Sequence, residues 1–395
     1  MMGVWRNIRL KEVLREVKKK NKDLSVTRVL SVTNSLGFVE QQKLFGRKLA
    51  SKDISAYKVI ERGDFAYNPA RINVGSIVLL EDFDGGIISP MYAAFRCLDG
   101  LDKRFFRYWL GGHGFRVQML ASLRGSVREV LSFRGMGQMR IKLPPLEEQE
   151  KIAEILNLWD AQIAEVQDLI YHKQRLKTGL MQKLFTQSLR LQGFAESWSK
   201  VRLGDIGSTY GGLTKKTKED FRGGNGRYIT YKNIFDNSCI DVSKFEAVRI
   251  KDGERQNQVE RGDIFFTISS ETPEEVGMSS VLLDDVGVVF LNSFCFGYRA
   301  DKSVLDSNFA RFYFRGFDFR RRMYKLARGT TRFNLSKNKV MNLCIPLPPL
   351  KEQEKNAEIL SVADEEIELL VQKHQALETQ KRALMQRLLT GKVRV

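Results

Sequence analysis

Two rhythms of apolar residues alternate along the chain. Short runs rich in β-branched and aromatic residues, among them Gly75-Ser-Ile-Val-Leu-Leu80 and Met278-Ser-Ser-Val-Leu-Leu283, lead to turns at Gly85-Gly86 and Gly287 and predict strands. Phe105-Phe-Arg-Tyr-Trp-Leu110 and Phe309-Ala-Arg-Phe-Tyr-Phe314 predict short helices with an aromatic face, a pattern that more often marks a core than a base-stacking platform. The second rhythm is a heptad. Leu156, Trp159, Ile163, Val166, Ile170, Lys173, Lys177, Leu180 and Leu184 recur in steps of three and four, as do Leu360, Ala363, Ile367, Leu370, His374, Leu377, Lys381, Leu384 and Leu388. Pro144-Pro145 and Pro348-Pro349 form stiff elbows before these segments, so the helices start near Glu147 and Lys351, with Gly391 stopping the second. At 1.5 Å per residue each helix would be roughly 60 Å long. Lys173, Lys177, His374 and Lys381 interrupt the seam and must snorkel or find partners.

The pattern occurs twice. Leu143 to Thr186 aligns without a gap on Leu347 to Thr390, with 20 of 44 positions identical at an offset of 204, so the chain is an internal duplication. The globular parts repeat too. Trp5, Ile8-Arg9-Leu10 and Glu12-Val13 match Trp198, Val201-Arg202-Leu203 and Asp205-Ile206, and Glu61-Arg62-Gly63-Asp64 matches Glu260-Arg261-Gly262-Asp263. The expected organisation is α+β: a β-rich domain over 1–142, a helical region over 143–186, a connector over 187–197, a second β-rich domain over 198–346 and a second helical region over 347–395.

Charge sharpens this picture. Each helix carries a net −2 against +18 for the whole chain, so the remainder carries +22, which suits a polyanion such as a phosphate backbone. Cys97, Cys239, Cys295 and Cys344 are isolated and expected as small buried residues, and His113, His172 and His374 are too few for a histidine-based metal site. No apolar run is long enough to span a bilayer and the start lacks a signal-peptide pattern, which makes a cytoplasmic location the default expectation.

Candidate DNA contacts fall in loops. Gly125-Ser126-Val127-Arg128 aligns with Gly329-Thr330-Thr331-Arg332; the hydroxyls of Ser126 and Thr330 and the guanidinium groups of Arg128 and Arg332 can bind phosphate oxygens, or the segment is a tight turn before a strand. After the shared Arg-Gly-Asp turn the halves diverge, with Asn68, Arg71 and Asn73 opposite Thr267, Ser269 and Ser270, which suits the reading of different base edges. Lys18, Lys19 and Lys20, Lys215, Lys216 and Lys218, and Lys232 with Asn233 complete the candidate set.

Catalytic motifs are missing. Asn68-Pro69-Ala70-Arg71 lacks the second proline and aromatic residue of an amino-methyltransferase loop, and Gly211-Gly212-Leu213-Thr214-Lys215-Lys216-Thr217 is wrongly spaced for a nucleotide-binding phosphate loop. Asp263 and Asp284-Asp285 read as turn or surface residues, not magnesium ligands.

Two β-rich basic halves, each followed by Leu-Pro-Pro-Leu-x-Glu-Gln and a heptad helix ending in Gly179-Leu-Met-Gln-Lys-Leu184 or Ala383-Leu-Met-Gln-Arg-Leu388, resemble the specificity subunit of a type I restriction-modification system. The resemblance implies two target-recognition domains joined by two long helices packed antiparallel as a coiled coil, with pseudo-twofold symmetry from one chain. Each domain would read one half of a bipartite site in double-stranded DNA, and the helices would set the unread spacer and dock methylation subunits through Glu148, Gln149, Glu352, Gln353 and their charged outer faces. It further implies no catalysis and no cofactor in this chain, with S-adenosylmethionine, ATP and Mg2+ on partner methylation and restriction subunits. The competing reading is a tandem-domain coiled-coil scaffold that binds acidic proteins, without DNA sequence preference.

Overall fold

The strand-like runs of each half assemble into a four-stranded antiparallel sheet with smaller sheets beside it. The computed structural model describes residues 3–33, 36–42, 53–123 and 130–395. They divide into unit 1, Met1–Gln167 with Gln372–Val395, and unit 2, Asp168–Val371.

In unit 1, β1 (Arg6–Arg9) is followed by β2 (Leu14–Glu16), β3 (Leu30–Val32), β4 (Phe38–Glu40), β5 (Lys58–Glu61), β6 (Phe65–Tyr67), β7 (Ile77–Leu79), β8 (Gly85–Ile88), β9 (Ala93–Cys97) and β10 (Arg140–Leu143). The main sheet runs β2-β9-β6-β7, with β3-β4, β5-β8 and β1-β10 as pairs. Helices α1 (Lys103–Leu110), α2 (His113–Ser122) and α3 (Phe133–Met136) cover one face. The Asp102 carboxylate caps α1 by accepting from the Arg104 and Phe105 amides, which fixes the aromatic face inward. There Phe65 stacks on Phe95 at 5.2 Å and Phe106 meets Phe65 edge-on, so this stripe is core.

Unit 2 repeats the plan with β11 (Ser199–Arg202), β12 (Gly207–Gly211), β13 (Gly226–Ile229), β14 (Glu246–Val248), β15 (Ile264–Thr267), β16 (Ser269–Ser270), β17 (Ser279–Val281), β18 (Phe290–Leu291), β19 (Cys295–Ala300), β20 (Phe333–Asn334) and β21 (Cys344–Leu347). Its main sheet is β12-β19-β15-β17, flanked by β14-β13-β18, β16-β20 and β11-β21. After the long helix α4 (Leu146–Phe185) come α5 (Tyr231–Asp236), α6 (Ser307–Tyr313), α7 (Phe317–Leu326), α8 (Lys337–Met341) and the second long helix α9 (Leu350–Leu389).

Both long helices extend over 40 residues, starting one residue before the positions the elbows predict. The seam positions are buried or half-buried along both. Ile152, Ala153 and Leu156 of α4 join the core of unit 1 together with Leu388 and Leu389 from the far end of α9. Ala357 and Leu360 of α9 join the core of unit 2 together with Leu184 and Phe185 from the far end of α4. The helices are thus divided between units, where the sequence suggested separate regions over 143–186 and 347–395; the apolar end of each is buried by the repeat to which it does not belong.

Within each unit the helix halves run antiparallel, and the three seam lysines find ionic partners. Lys173 pairs with Glu366 at 2.6 Å and Lys177 with Asp364 in unit 2, while Lys381 pairs with Asp160 in unit 1. Their stems cover apolar seam and their charges are matched across it.

The elbows are internal structure. Gln149 accepts from the Asp102 amide and donates to the carbonyls of Gly100 and Pro144, each at 2.9 Å. Gln353 does the same with Asp306, Val304 and Pro348. Glu148 receives Trp5 and Arg394, and Glu352 receives Arg190. All four side chains are buried. This corrects the expectation that they face protein partners: a side chain whose polar atoms are consumed inside its own unit has none to offer outside.

The cysteines depart in part from the sequence reading. Cys295 is buried, but Cys97 and Cys239 are only partly so and Cys344, the first residue of β21, is exposed, because alternation along a strand edge decides its side. Among the described residues no helix is long and apolar enough to cross a membrane.

Candidate nucleic-acid interface

The Arg-Gly-Asp turns are scaffolds from which the divergent loops depart. Gly63 and Gly262 take φ of 97° and 94°, a left-handed conformation that glycine adopts without strain. The following aspartates point inward: Asp64 accepts from the Glu61 amide and pairs with Arg96 at 2.9 Å, and Asp263 accepts from the Glu260 amide and pairs with Arg299 at 2.8 Å. Burial raises Asp64, while its hydrogen bonds to Glu61 and Arg96 oppose that rise. Asp263 therefore locks a turn, in line with its reading as a turn residue.

From each turn the chain enters β6 or β15 and then a loop. In unit 1 the Asn68 side chain accepts from the Ala70 amide at 3.1 Å, turning the loop so that Arg71 and Asn73 are exposed. In unit 2 the equivalent residues continue as β16. Here Thr267 is wholly buried, its hydroxyl accepting from the Met278 amide at 3.0 Å, which corrects its assignment to base contact. Ser269 is half-buried and its carbonyl accepts from the Tyr231 hydroxyl at 2.7 Å; Ser270 donates to Glu275 at 3.0 Å.

The divergent loop and the segment after the Gly-hydroxyl-Arg motif are neighbours in both units. The Leu131 amide donates to the Pro69 carbonyl at 3.1 Å, and the Tyr67 hydroxyl reaches the Leu131 carbonyl at 3.0 Å. At the matching place in unit 2 the Leu335 amide donates to the Ile268 carbonyl at 2.9 Å, and β16 pairs with β20. Two segments about 60 residues apart in sequence thus present one surface, carrying exposed Thr330 and Arg332 in unit 2. Ser126 and Arg128 lie outside the described residues.

The lysine candidates separate. Lys18, Lys19 and Lys20 are exposed beside β5, where the Val59 amide donates to the Lys19 carbonyl and Lys18 pairs with Glu16 at 3.1 Å. Lys215, Lys218 and Lys232 are exposed. Lys216 is a structural residue instead: its buried ammonium bonds the Arg249 carbonyl and Glu254, and holds the Glu254 carboxyl down at about 2. Asn233 is also structural, bonding to Thr230 and Asp241 and buried within α5 and its exit.

Beside β16 and β20 lies a cleft of about 360 Å³ lined by Tyr231, Phe235, Ser269, Ser270, Glu271, Glu275, Phe294 and Arg332. It unites the candidates Ser269, Ser270 and Arg332 with five other residues: Tyr231 and Phe235 stack at 6.0 Å on α5, Phe294 is 60% exposed, and the two glutamates come from the loop after β16. Nothing in local periodicity singles out Phe294, which precedes the buried run of β19; only its failure to enter the core distinguishes it. Among the described residues no group of three or more His, Cys, Asp and Glu side chains is placed to hold a metal ion.

Comparison with known proteins agrees with this architecture. The family model described as type I restriction modification DNA specificity domain matches residues 5–170 and again 195–379. The chain is 26% identical over 439 aligned positions to a putative type I restriction enzyme MjaX specificity subunit of Methanocaldococcus jannaschii, covering 99% of this chain and 94% of that one. It is 27% identical over 273 to the MjaVIII specificity subunit of the same organism, covering 65% of this chain and 63% of that relative, just under two thirds of its length. Among solved structures, the HsdS subunit from Thermoanaerobacter tengcongensis superposes with a TM-score of 0.55 at 20% identity, over 98% of this chain and 97% of the other. A chain from a structure of type I R-M complex assembly and conformational transition gives 0.63 at 19% identity, with 98% of both covered.

Proposed function

From the premise that this chain belongs to the type I restriction-modification DNA specificity family, a non-catalytic DNA-recognition subunit, we propose that it reads a bipartite site in double-stranded DNA, one half per unit. The observation that carries the reading is the repeated junction of a divergent loop with the segment after the Gly-hydroxyl-Arg motif, made by the Leu131–Pro69 and Leu335–Ile268 hydrogen bonds. A shared frame that presents unlike side chains is what two readers of unlike half-sites require.

The basic charge outside the helices supports phosphate contact, and we assign that role to Arg332 and Thr330, with Arg128 and Ser126 as their sequence counterparts. Asn68, Arg71 and Asn73 belong to the loop, and Ser269 to the strand, that face bases, while buried Ser270 acts only through Glu275; Lys18, Lys19, Lys20, Lys215, Lys218 and Lys232 add sequence-independent attraction. The helices that join the units set the unread spacer, in the way that dimer geometry sets half-site spacing. Methylation subunits, carrying S-adenosylmethionine, dock on the outer helix faces, and restriction subunits add ATP and Mg2+; the complex works in the cytoplasm.

The test is co-expression of this chain with the methylation subunit encoded beside it, followed by mapping of methylated adenines. The expected result is one bipartite motif that vanishes when this chain is omitted. Methylation that persists without it would overturn the assignment.

A further inference from the structure

Two half-buried arginines of unit 2 hold the walls of its cleft. Arg315, in the turn between α6 and α7, donates to the carbonyls of Ile234, Phe235 and Asn237 at 2.7, 2.9 and 2.8 Å and to that of Ser279 at 2.6 Å. It closes the C-terminal end of α5, whose Tyr231 and Phe235 form one wall. Arg320 of α7 donates to the carbonyls of Gly277, Glu274 and Val276 at 2.5, 2.6 and 2.7 Å, clasping the loop that brings Glu271 and Glu275 to the other wall. Burial pushes both guanidinium groups down to about 10, so they stay charged at neutral pH. Among the described residues neither forms an ion pair; their charge is directed wholly at backbone. At the offset of 204 the position equivalent to Arg315 is Gly111, so the Arg315 clamp is particular to unit 2, whereas Arg320 has a counterpart in Arg116.

The contents of the cleft select its ligand. Two carboxylates repel a phosphate, yet they stand on the surface of a chain whose non-helical parts are strongly basic. Ionised carboxylates only accept hydrogen bonds, and in the major groove the donors are the exocyclic amino groups of cytosine and adenine. Ser270 engages one oxygen of Glu275. Phe294 projects an apolar ring beside them, and Arg332 stands at the rim where a backbone phosphate would flank a seated base edge.

We propose that this cleft is the base-edge reader of unit 2, in which Glu271 and Glu275 accept from an exocyclic amino group, Phe294 packs beside that base, and Arg315 and Arg320 are positioning residues for the two walls. The proposal rests on the DNA-reading function above and adds the chemistry read.

The experiment selects binding sites for the full chain from a randomised duplex library. The wild-type chain selects two half-sites. Glu271→Gln and Glu275→Gln are each expected to lower the preference at one position of one half-site about tenfold or more, leaving the other half-site unchanged. Removing the amino group from the DNA instead, with purine for adenine or 2-pyrimidinone for cytosine at that position, reproduces the loss and adds nothing to the variant; the analogue that does so identifies the base. Arg320→Lys broadens preference at the same position. Preference unchanged in both glutamate variants overturns the reader, and a lowered melting temperature with preference intact overturns the positioning role of Arg320. A wild-type chain that binds without selecting any sequence overturns the DNA-reading function itself.

Discussion

Lys381 donates its ammonium to the Asp160 carboxylate, with the Tyr108 ring centred 5.3 Å from the same nitrogen. The offset of 204 carries this pair onto Lys177 and Asp364, which bond in unit 2 beside the Phe312 ring. Each bridge therefore joins the helix of one repeat to the helix of the other. In unit 1 the Tyr108 hydroxyl also donates to Asp160 at 2.6 Å; in unit 2 phenylalanine has no hydroxyl and Arg311 supplies a second cation to Asp364.

That difference sets an order of coupling energies. Side-chain exposure is 19% and 46% for Lys381 and Asp160, but 20% and 28% for Lys177 and Asp364. Double-mutant cycles to alanine should give a coupling of about 0.5–1 kcal/mol for the first pair and more for the second, which water screens less. Urea unfolding measures both; equal couplings, or none, would refute the screening argument.

Gln149→Ala should be strongly destabilising, by about 2–4 kcal/mol, since it opens a cavity and leaves the Asp102 amide without its acceptor. Gln353→Ala should act likewise in unit 2. Thermal melting checks this, and a mutant as stable as wild type that instead lost a protein partner would return these residues to the surface role.

Acid should weaken the closure of unit 1. Burial alone would raise the Glu148 carboxyl, but the bonds from Arg394 and Trp5 outweigh it and hold the group below its ordinary value of 4.5. A lowered folded-state value gives stability that is present above about pH 4.5 and lost as pH falls through the folded value. The melting-temperature gap between wild type and Glu148→Gln should therefore shrink on going from pH 7 to pH 3. A gap independent of pH would exclude an ionic origin.

Arg332→Ala should weaken binding to all DNA sequences and reduce the slope of log affinity against log salt by about 0.9, the loss of one phosphate contact. Arg128→Ala should do the same for its half. A titration series at several salt concentrations decides; a changed base preference at one position would make either arginine a base reader.

Exchange of residues 5–142 for the same region of a related specificity subunit should alter one half of the recognised site and spare the other. Loss of both halves would contradict reading by separate units.

Much of the fold was legible because its signals are local. Double prolines fix an elbow, heptads fix a seam, and the 204-residue offset exposes the duplication. The Glu-Gln pair was equally conspicuous but misread. Its place in the repeat signalled importance, while the choice between inner and outer face depended on the Gly100 and Val304 carbonyls, which come from distant chain. Thr267 and Asn233 were likewise polar residues in candidate loops whose partners, Met278 and Asp241, only the fold supplies.

The sequence by itself determined the two-fold plan, the helices and their start, the basic domains and the loops in which the repeats differ, because each is written in spacing or composition. Tertiary structure alone decided that the helix ends exchange between units, that Lys216 is buried against Glu254, and that Phe294, Glu271 and Arg332 share a cleft. The physical reason is that a side chain's role follows from which atoms satisfy it. For a polar residue outside a repeat pattern those atoms lie from eight to tens of residues away, at separations that periodicity does not encode.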